Sequence, residues 1–290
     1  MLLSKFYEYL DLPEKSFLGS RVAKKQLIEN SKLSTADKKA VQEDIESIVW
    51  RNTLKNSTVN ISPYFSEVKS QEVNCQEIKA QEESLEAESY VLEYSEIALI
   101  EVTIRSKKRV KKIAELIQRA IPYPLMLVLH LKHVTEDGSP SSLFLNLATK
   151  RLSKADHSKL KVERFYQSQK FTEEQITENS VEEQFFKSLS VNNQSFINFY
   201  EFYMGWVKQF ISLEKSKLTN AFEPNASQSV DIEQAKAQAN VLDSIASLEA
   251  KLSGIRQKLK QENQINRKVE LNIQAQKIKR DLAQLTAELS

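Results

Sequence analysis

The side chains able to do chemistry are few: three histidines, one cysteine and two glutamates on a single apolar run. Glu96 and Glu101 flank Ile97, Ala98, Leu99 and Ile100 in that run. Metal-dependent nucleases place paired carboxylates and a lysine at the ends of adjacent strands, where they hold Mg²⁺ and orient water. Glu101 is followed here by Val102 and Thr103, so the Asp/Glu-x-Lys triplet is incomplete. Glu96 and Glu101 therefore stand as catalytic candidates without their lysine. An inward Glu101 would instead pair with Lys150 or Arg151 on a neighbouring strand. His130 and His133 are three apart, which on a strand sends them to opposite faces, and His157 stands apart from both. Neither a metal site nor a cofactor site is read from them. The lone Cys75 excludes an intramolecular disulfide and any multi-cysteine metal centre. A Gly-rich phosphate loop, a Gly-x-Ser-x-Gly elbow and a His-Glu-x-x-His helix are all absent.

Charge clusters more sharply than reactive groups do. Arg105, Lys107, Lys108, Arg109, Lys111 and Lys112 fall within eight residues, at a strand-to-helix turn and the first helical turns. Backbone N–H groups and the helix dipole favour phosphates at such a place. This makes the run a candidate contact for DNA or an acidic partner. The alternative is a solvated helix face, since the basic residues lie opposite Val110, Ile113 and Ile117. Aromatics are not interleaved with the run, which argues against base-specific readout.

The elements that must carry these residues follow from periodicity. Ser34 reads as the N-cap of a helix from about Thr35 to Asp44, with a strand beginning near Ser47. Val59 and Ile61 predict a second strand over 57–63. Residues 65–90 hold an acidic insertion: nine glutamates and two lysines lie between Phe65 and Glu96. A strand over 96–105, a helix over 110–121 ended by Pro122, and an apolar strand over 125–131 form a βαβ unit. Asp137-Gly138 predicts a turn, and Ser142 to Thr149 the next strand. A further extended segment follows over 159–171.

Helices are expected over 181–189 and 196–218. The second has a broad face of Phe196, Phe199, Tyr200, Tyr203, Trp206, Val207, Phe210 and Leu213 that should pack on the body. Beyond a polar linker, Ile245, Leu248, Leu252, Ile255 and Leu259 step by three and four. Leu271, Ala275, Ile278, Leu282, Leu285 and Leu289 do the same, out of phase with the first set. Two such seams predict a coiled-coil arm, either one long helix with a phase break or a helical hairpin. Each narrow seam needs another helix to cover it, so these residues are the candidates for oligomerisation. The fold class expected is α+β, a mixed sheet with a βαβ unit covered by helices, plus a C-terminal helical coiled-coil arm. The divisions are an α/β body over 1–155, a helical extension over 156–225 and an arm over 230–290.

A formal net charge of +2 makes no bulk case for nucleic acid. The start, MLLSKFYEYL, lacks a secretory signal pattern, and the most apolar stretch, residues 121–131, is too short to span a bilayer. With the single cysteine, this points to a cytoplasmic protein without membrane contact.

A resemblance emerges from Lys24-Lys25, Leu33-Ser34, Ala36-Asp37-Lys38, Ile48-Val49-Trp50, Leu54, Thr58 and Ile61. It is strengthened by Glu96-Ile97, Glu101-Val102, Ile117-Gln-Arg-Ala-Ile-Pro-Tyr-Pro124 and Leu147-Ala-Thr-Lys-Arg151. Over about residues 1–225 the chain resembles a bacterial family known as a domain of unknown function. Members of that family are often encoded beside restriction-type helicases and DNA methyltransferases. The resemblance implies a place in restriction-modification or antiviral DNA-processing clusters, with such a helicase or methyltransferase as partner, and no catalytic residue to transfer. Under it, Lys24, Glu101, Arg119, Tyr123, Lys150 and Arg151 are the candidate contact residues of the body. The leading expectation is a non-catalytic accessory subunit docking through its coiled coil. The alternatives are a metal-dependent nuclease built around Glu96 and Glu101, and a scaffold that binds only protein.

Overall fold

The computed structural model describes residues 2–29, 33–69, 89–131, 141–153, 160–219, 221–224 and 232–289. The expected turn at Asp137-Gly138, most of the acidic insertion with Cys75, and His133 and His157 lie outside them.

The described chain begins with helix α1 (Leu2–Leu10), strand β1 (Phe17–Arg21) and the short helix α2 (Lys24–Glu29). Helix α3 (Thr35–Asp44) starts where its cap predicts: the Ser34 hydroxyl accepts from the Asp37 N–H at 3.2 Å. It runs directly into β2 (Ile45–Lys55). The strand expected over 57–63 is instead a single helical turn, α4 (Asn56–Val59). Thr58 Oγ1 accepts from the Lys55 N–H, and Asn60 ends the turn in the left-handed region at φ 55°. These local bonds outweigh two β-branched residues at period two.

Strands β3 (Tyr64–Lys69) and β4 (Ser89–Tyr94) pair antiparallel, so both ends of the acidic stretch are sheet. The βαβ unit is present as read: β5 (Glu96–Ile104), α5 (Val110–Ala120) and β6 (Leu125–Leu131), with β5 and β6 parallel. Strands β7 (Ser142–Ser153) and β8 (Leu160–Gln167) follow. The sheet is mixed, ordered β1-β2-β5-β6-β7-β4-β3, with β8 paired to β7.

Alternation along the central strands sorts two cores. Ala98, Ile100, Val102, Leu125, Leu127 and Leu129 face Val110, Ile113, Ala114 and Ile117 of α5. The opposite face carries Ile97, Leu99, Met126, Val128, Leu145 and Leu147. It is covered by α1, by α6 (Val181–Ser188) and by α7 (Phe199–Thr219). The aromatic face of α7 packs inward: Phe199, Tyr203, Trp206 and Val207 are fully buried, whereas Phe196 precedes the helix and is exposed. Tyr203 accepts from the Ala148 N–H at 3.0 Å, and its hydroxyl is 3.0 Å from the Leu125 carbonyl, which ties α7 to two strands. Burying Trp206 contributes about 3 kcal/mol.

Helices α8 (Ile232–Gln261) and α9 (Ile265–Leu289) form a helical hairpin, which decides between the two forms the sequence leaves open. Its base joins the α7 core through Ala235, Ala239, Leu242, Ile245, Leu282, Leu285 and Leu289.

Candidate functional site

Three side chains converge on Glu101. It stands on the α1-facing side of β5, paired with Val128 of β6 and Val49 of β2. His130, two residues beyond Val128, shares that face. Its Nε2 lies 3.1 Å from Glu101 Oε1 and 3.1 Å from the Thr103 hydroxyl. A carboxylate only accepts, so the Nε2–H donates to Glu101. Arg51 Nη1 donates to Glu101 Oε2 at 3.2 Å, and the Tyr7 hydroxyl donates to the same oxygen at 3.2 Å. The Arg51 guanidinium also lies 3.8 Å from the Tyr7 ring centre. Ser47 and Thr103 close the group with hydroxyls 3.0 Å apart.

Local backbone explains the convergence. The β2–β5 register shifts between Trp50↔Ile100 and Asn52↔Leu99, leaving Arg51 as the extra residue of a bulge. Bulges re-aim a side chain, and this one serves the carboxylate. Burial pushes the Glu101 carboxyl up, but the His130 hydrogen bond and charge, with Arg51 and Tyr7, outweigh it and hold the group below its usual range. Tyr7 is pushed well above the ordinary phenol value by burial and by Glu101. The group is therefore a carboxylate, with its negative charge offset by Arg51 and with three donors upon it. General-base work near neutrality needs a carboxyl raised toward neutral pH, the opposite direction.

Glu96 does not join this group. It opens β5 opposite Lys55, five residues from Glu101, so the two glutamates face opposite sides of the strand. They stand ~17 Å apart along it. Among the described residues, no cluster of three or more His, Cys, Asp or Glu could hold a metal ion. Nor do Lys150 and Arg151 meet Glu101, as the sequence reading had it. Arg151 pairs with Glu163 of β8. Lys150 is buried, and its Nζ donates to the carbonyls of Ile121 at 2.7 Å and Tyr123 at 2.9 Å. Burial without a counter-charge drives its pKa well below the ordinary lysine value. Lys150 thus secures the Ile-Pro-Tyr-Pro turn and is not available at the surface. Tyr123 is 42% exposed and meets the Trp50 ring edge-on at 6.3 Å. Arg119 is exposed, with its guanidinium 5.6 Å from the Phe165 ring centre.

Part of the basic run is held against α3. Arg105 donates to the Gln42 and Glu43 carbonyls at 3.3 and 2.9 Å, and Lys24 reaches the carbonyls of Gln42 and Ile45. Arg109 pairs with Asp44 at 2.5 Å and Glu43 at 3.3 Å, and Lys112 with Asp37 at 3.0 Å. Asp44 first, then Glu43, raises Arg109 above its usual value. Lys24, Arg105 and Arg109 sit at the carbonyl end of α3, where a helix dipole favours positive charge, whereas Lys112 meets Asp37 in its first turn. Lys107, Lys108 and Lys111 are exposed as well.

The seam residues read for oligomerisation are turned toward each other within the hairpin. Ile245, Leu252 and Leu289 are buried, and Leu248, Ile255, Leu259, Leu271, Ile278, Leu282 and Leu285 are half-buried. What the heptad reading missed is a further apolar line on α9: Ile265, Val269 and Ile273 are 77, 51 and 65% exposed. Their four-residue spacing was the available signal. No described helix is long and apolar enough to cross a membrane.

Neither a curated protein nor a solved structure matches the chain. The family described as a domain of unknown function (DUF4391) matches it over residues 10–93 and 82–282. Those stretches take in the sheet, Glu101 with Arg51 and His130, and most of the hairpin, and the chain belongs to that family.

Proposed function

We propose that the protein is a non-catalytic accessory subunit of a helicase- or restriction-type DNA-processing assembly, of the kind that serves antiviral defence, and that it docks through its C-terminal hairpin. The observation that carries this reading is the contrast between two places. The Glu101 carboxylate is already engaged by Arg51, His130 and Tyr7. The hairpin, by contrast, presents an uncovered apolar line on its outer side. A helicase or DNA methyltransferase of the same gene cluster is the partner the family resemblance suggests, with Lys107, Lys108 and Lys111 as the body's contribution to contact with DNA. Affinity purification of the tagged full chain from its native host tests this. A helicase or methyltransferase at comparable abundance supports the reading, and recovery of the protein alone refutes it.

One observation favours a second reading, a metal-dependent nuclease. Glu101 and His130 lie toward the carboxyl ends of adjacent parallel strands joined by a crossover helix, where open α/β sheets place their ligands. On that reading, Mg²⁺- or Mn²⁺-dependent DNA cleavage is present in the wild type and lost in Glu101→Gln. An inactive wild type with its partners present discards it.

A further inference from the structure

Charge in this chain is segregated. Residues 251–280, the far half of the hairpin, hold nine Lys or Arg and two Glu, although the whole chain totals only +2. All nine are exposed, and the remainder of the chain is net acidic. On the same segment α9 has two apolar lines. Leu271, Ala275 and Ile278 turn toward α8. Ile265, Val269 and Ile273 lie two residues out of step with them, roughly 160° around the helix. No described element covers that second line, which is exposed along its length. Lys268, Lys277 and Arg280 flank and extend it, all exposed.

We infer that this outer face of α9 is a docking surface for an acidic amphipathic helix of a partner protein. The inference rests on the accessory-subunit reading for its biological setting, and on charge and shape for its chemistry. A line of β-branched side chains at four-residue spacing fits the apolar seam of another helix. The surrounding basic field selects a partner rich in Glu and Asp. It also disfavours a second copy of this chain, because two such segments would bring like charges together. Phosphate contacts alone would leave Ile265, Val269 and Ile273 in water. Residues 232–289 contain no aromatic residue, which membrane-surface helices use as anchors and single-stranded nucleic acids use for stacking.

The test uses the full-length protein and a fluorescent synthetic helix with Leu and Ile at heptad core positions and Glu elsewhere, read by anisotropy. A scrambled peptide of identical composition is the control. The account expects binding of the heptad peptide, at least about tenfold weaker in Val269→Asp/Ile273→Asp, weakened by salt and absent with the scrambled peptide. These positions are on the surface, so the variant keeps the wild-type circular dichroism and melting temperature. No binding, or equal binding of the scrambled peptide, overturns the inference. Concentration-dependent dimerisation lost in the same variant would assign the face to a second copy and overturn it too, as would variant-sensitive binding to duplex DNA or anionic vesicles. The two readings fail separately. Peptide binding without a co-purifying helicase or methyltransferase removes only the accessory role, and co-purification without peptide binding removes only this docking face.

Discussion

The Nζ of Lys150 on β7 lies 2.7 Å from the carbonyl oxygen of Ile121, joining two segments 29 residues apart. The Ala-Thr-Lys-Arg and Ile-Pro-Tyr-Pro segments are thus one structural unit, in which the Lys150 side-chain nitrogen caps a turn that two prolines leave short of donors.

Lys150→Met keeps the length of the side chain and leaves two part-buried carbonyls without their donor. The expected loss is about 2 kcal/mol, measured by urea denaturation at neutral pH. The folded-state pKa of Lys150 lies below its unfolded value. Between those two values the unfolded chain holds the extra proton, so rising pH favours the folded form. The stability advantage of the wild type over Lys150→Met accordingly grows as pH rises toward 10.5, the ordinary lysine value. An advantage that shrinks over that range would contradict the placement.

Glu101→Gln removes the charge that pairs with Arg51 and accepts from His130. It is expected to cost about 2–3 kcal/mol, because the guanidinium and imidazole are left beside a neutral amide. The folded-state pKa of Glu101 is depressed, so its contribution is complete above the ordinary value of 4.5 and is lost as pH falls through the lower folded value. Acid titration followed by tyrosine fluorescence should show the wild type losing its advantage over Glu101→Gln as pH falls below 4.5 and through the lower folded value.

Arg164 holds the hairpin to the sheet. It donates to the Ala239 carbonyl at 3.0 Å and to Asn240 Oδ1 at 3.1 Å, and it pairs with Asp243. Arg164→Ala should raise amide exchange across the first turns of α8, with a global destabilisation of about 1 kcal/mol or less. Unchanged exchange in α8 would show that the α7 core alone secures the base.

Charge reversal at Lys108 and Lys111 should leave stability within about 0.5 kcal/mol, since both face solvent at the surface. If the body contacts DNA there, binding weakens and its salt dependence becomes shallower. Reversal at Arg109 should instead lower the melting temperature, because it breaks the link to Asp44 and Glu43 at the end of α3.

Much of the body was legible because its signals are local. Ser34 and Asp37 announce α3, Pro122 ends the α5 periodicity, and Leu125–Leu131 is apolar at every position but His130. Strand β1 was not legible, since all five of its residues are exposed and show no alternation. Nor was the β3–β4 pairing, which is made by segments whose composition reads as solvated. The Glu101 group was half legible. The carboxylate was singled out, but its partners Arg51 and Tyr7 lie 50 and 94 residues away and are brought in by a bulge and by the docking of α1. The two heptad seams lie on helices that pack against each other. Each seam is partly covered by the other half of the same hairpin, and the most exposed hydrophobic line is the one outside the heptad frame.

The most direct test compares the tagged wild type with Val269→Asp/Ile273→Asp in affinity purification from the native host. The account predicts a helicase or DNA methyltransferase with the wild type and its loss from the variant. A wild type recovered alone would contradict the accessory role, and equal recovery of the partner by both would contradict docking through the hairpin.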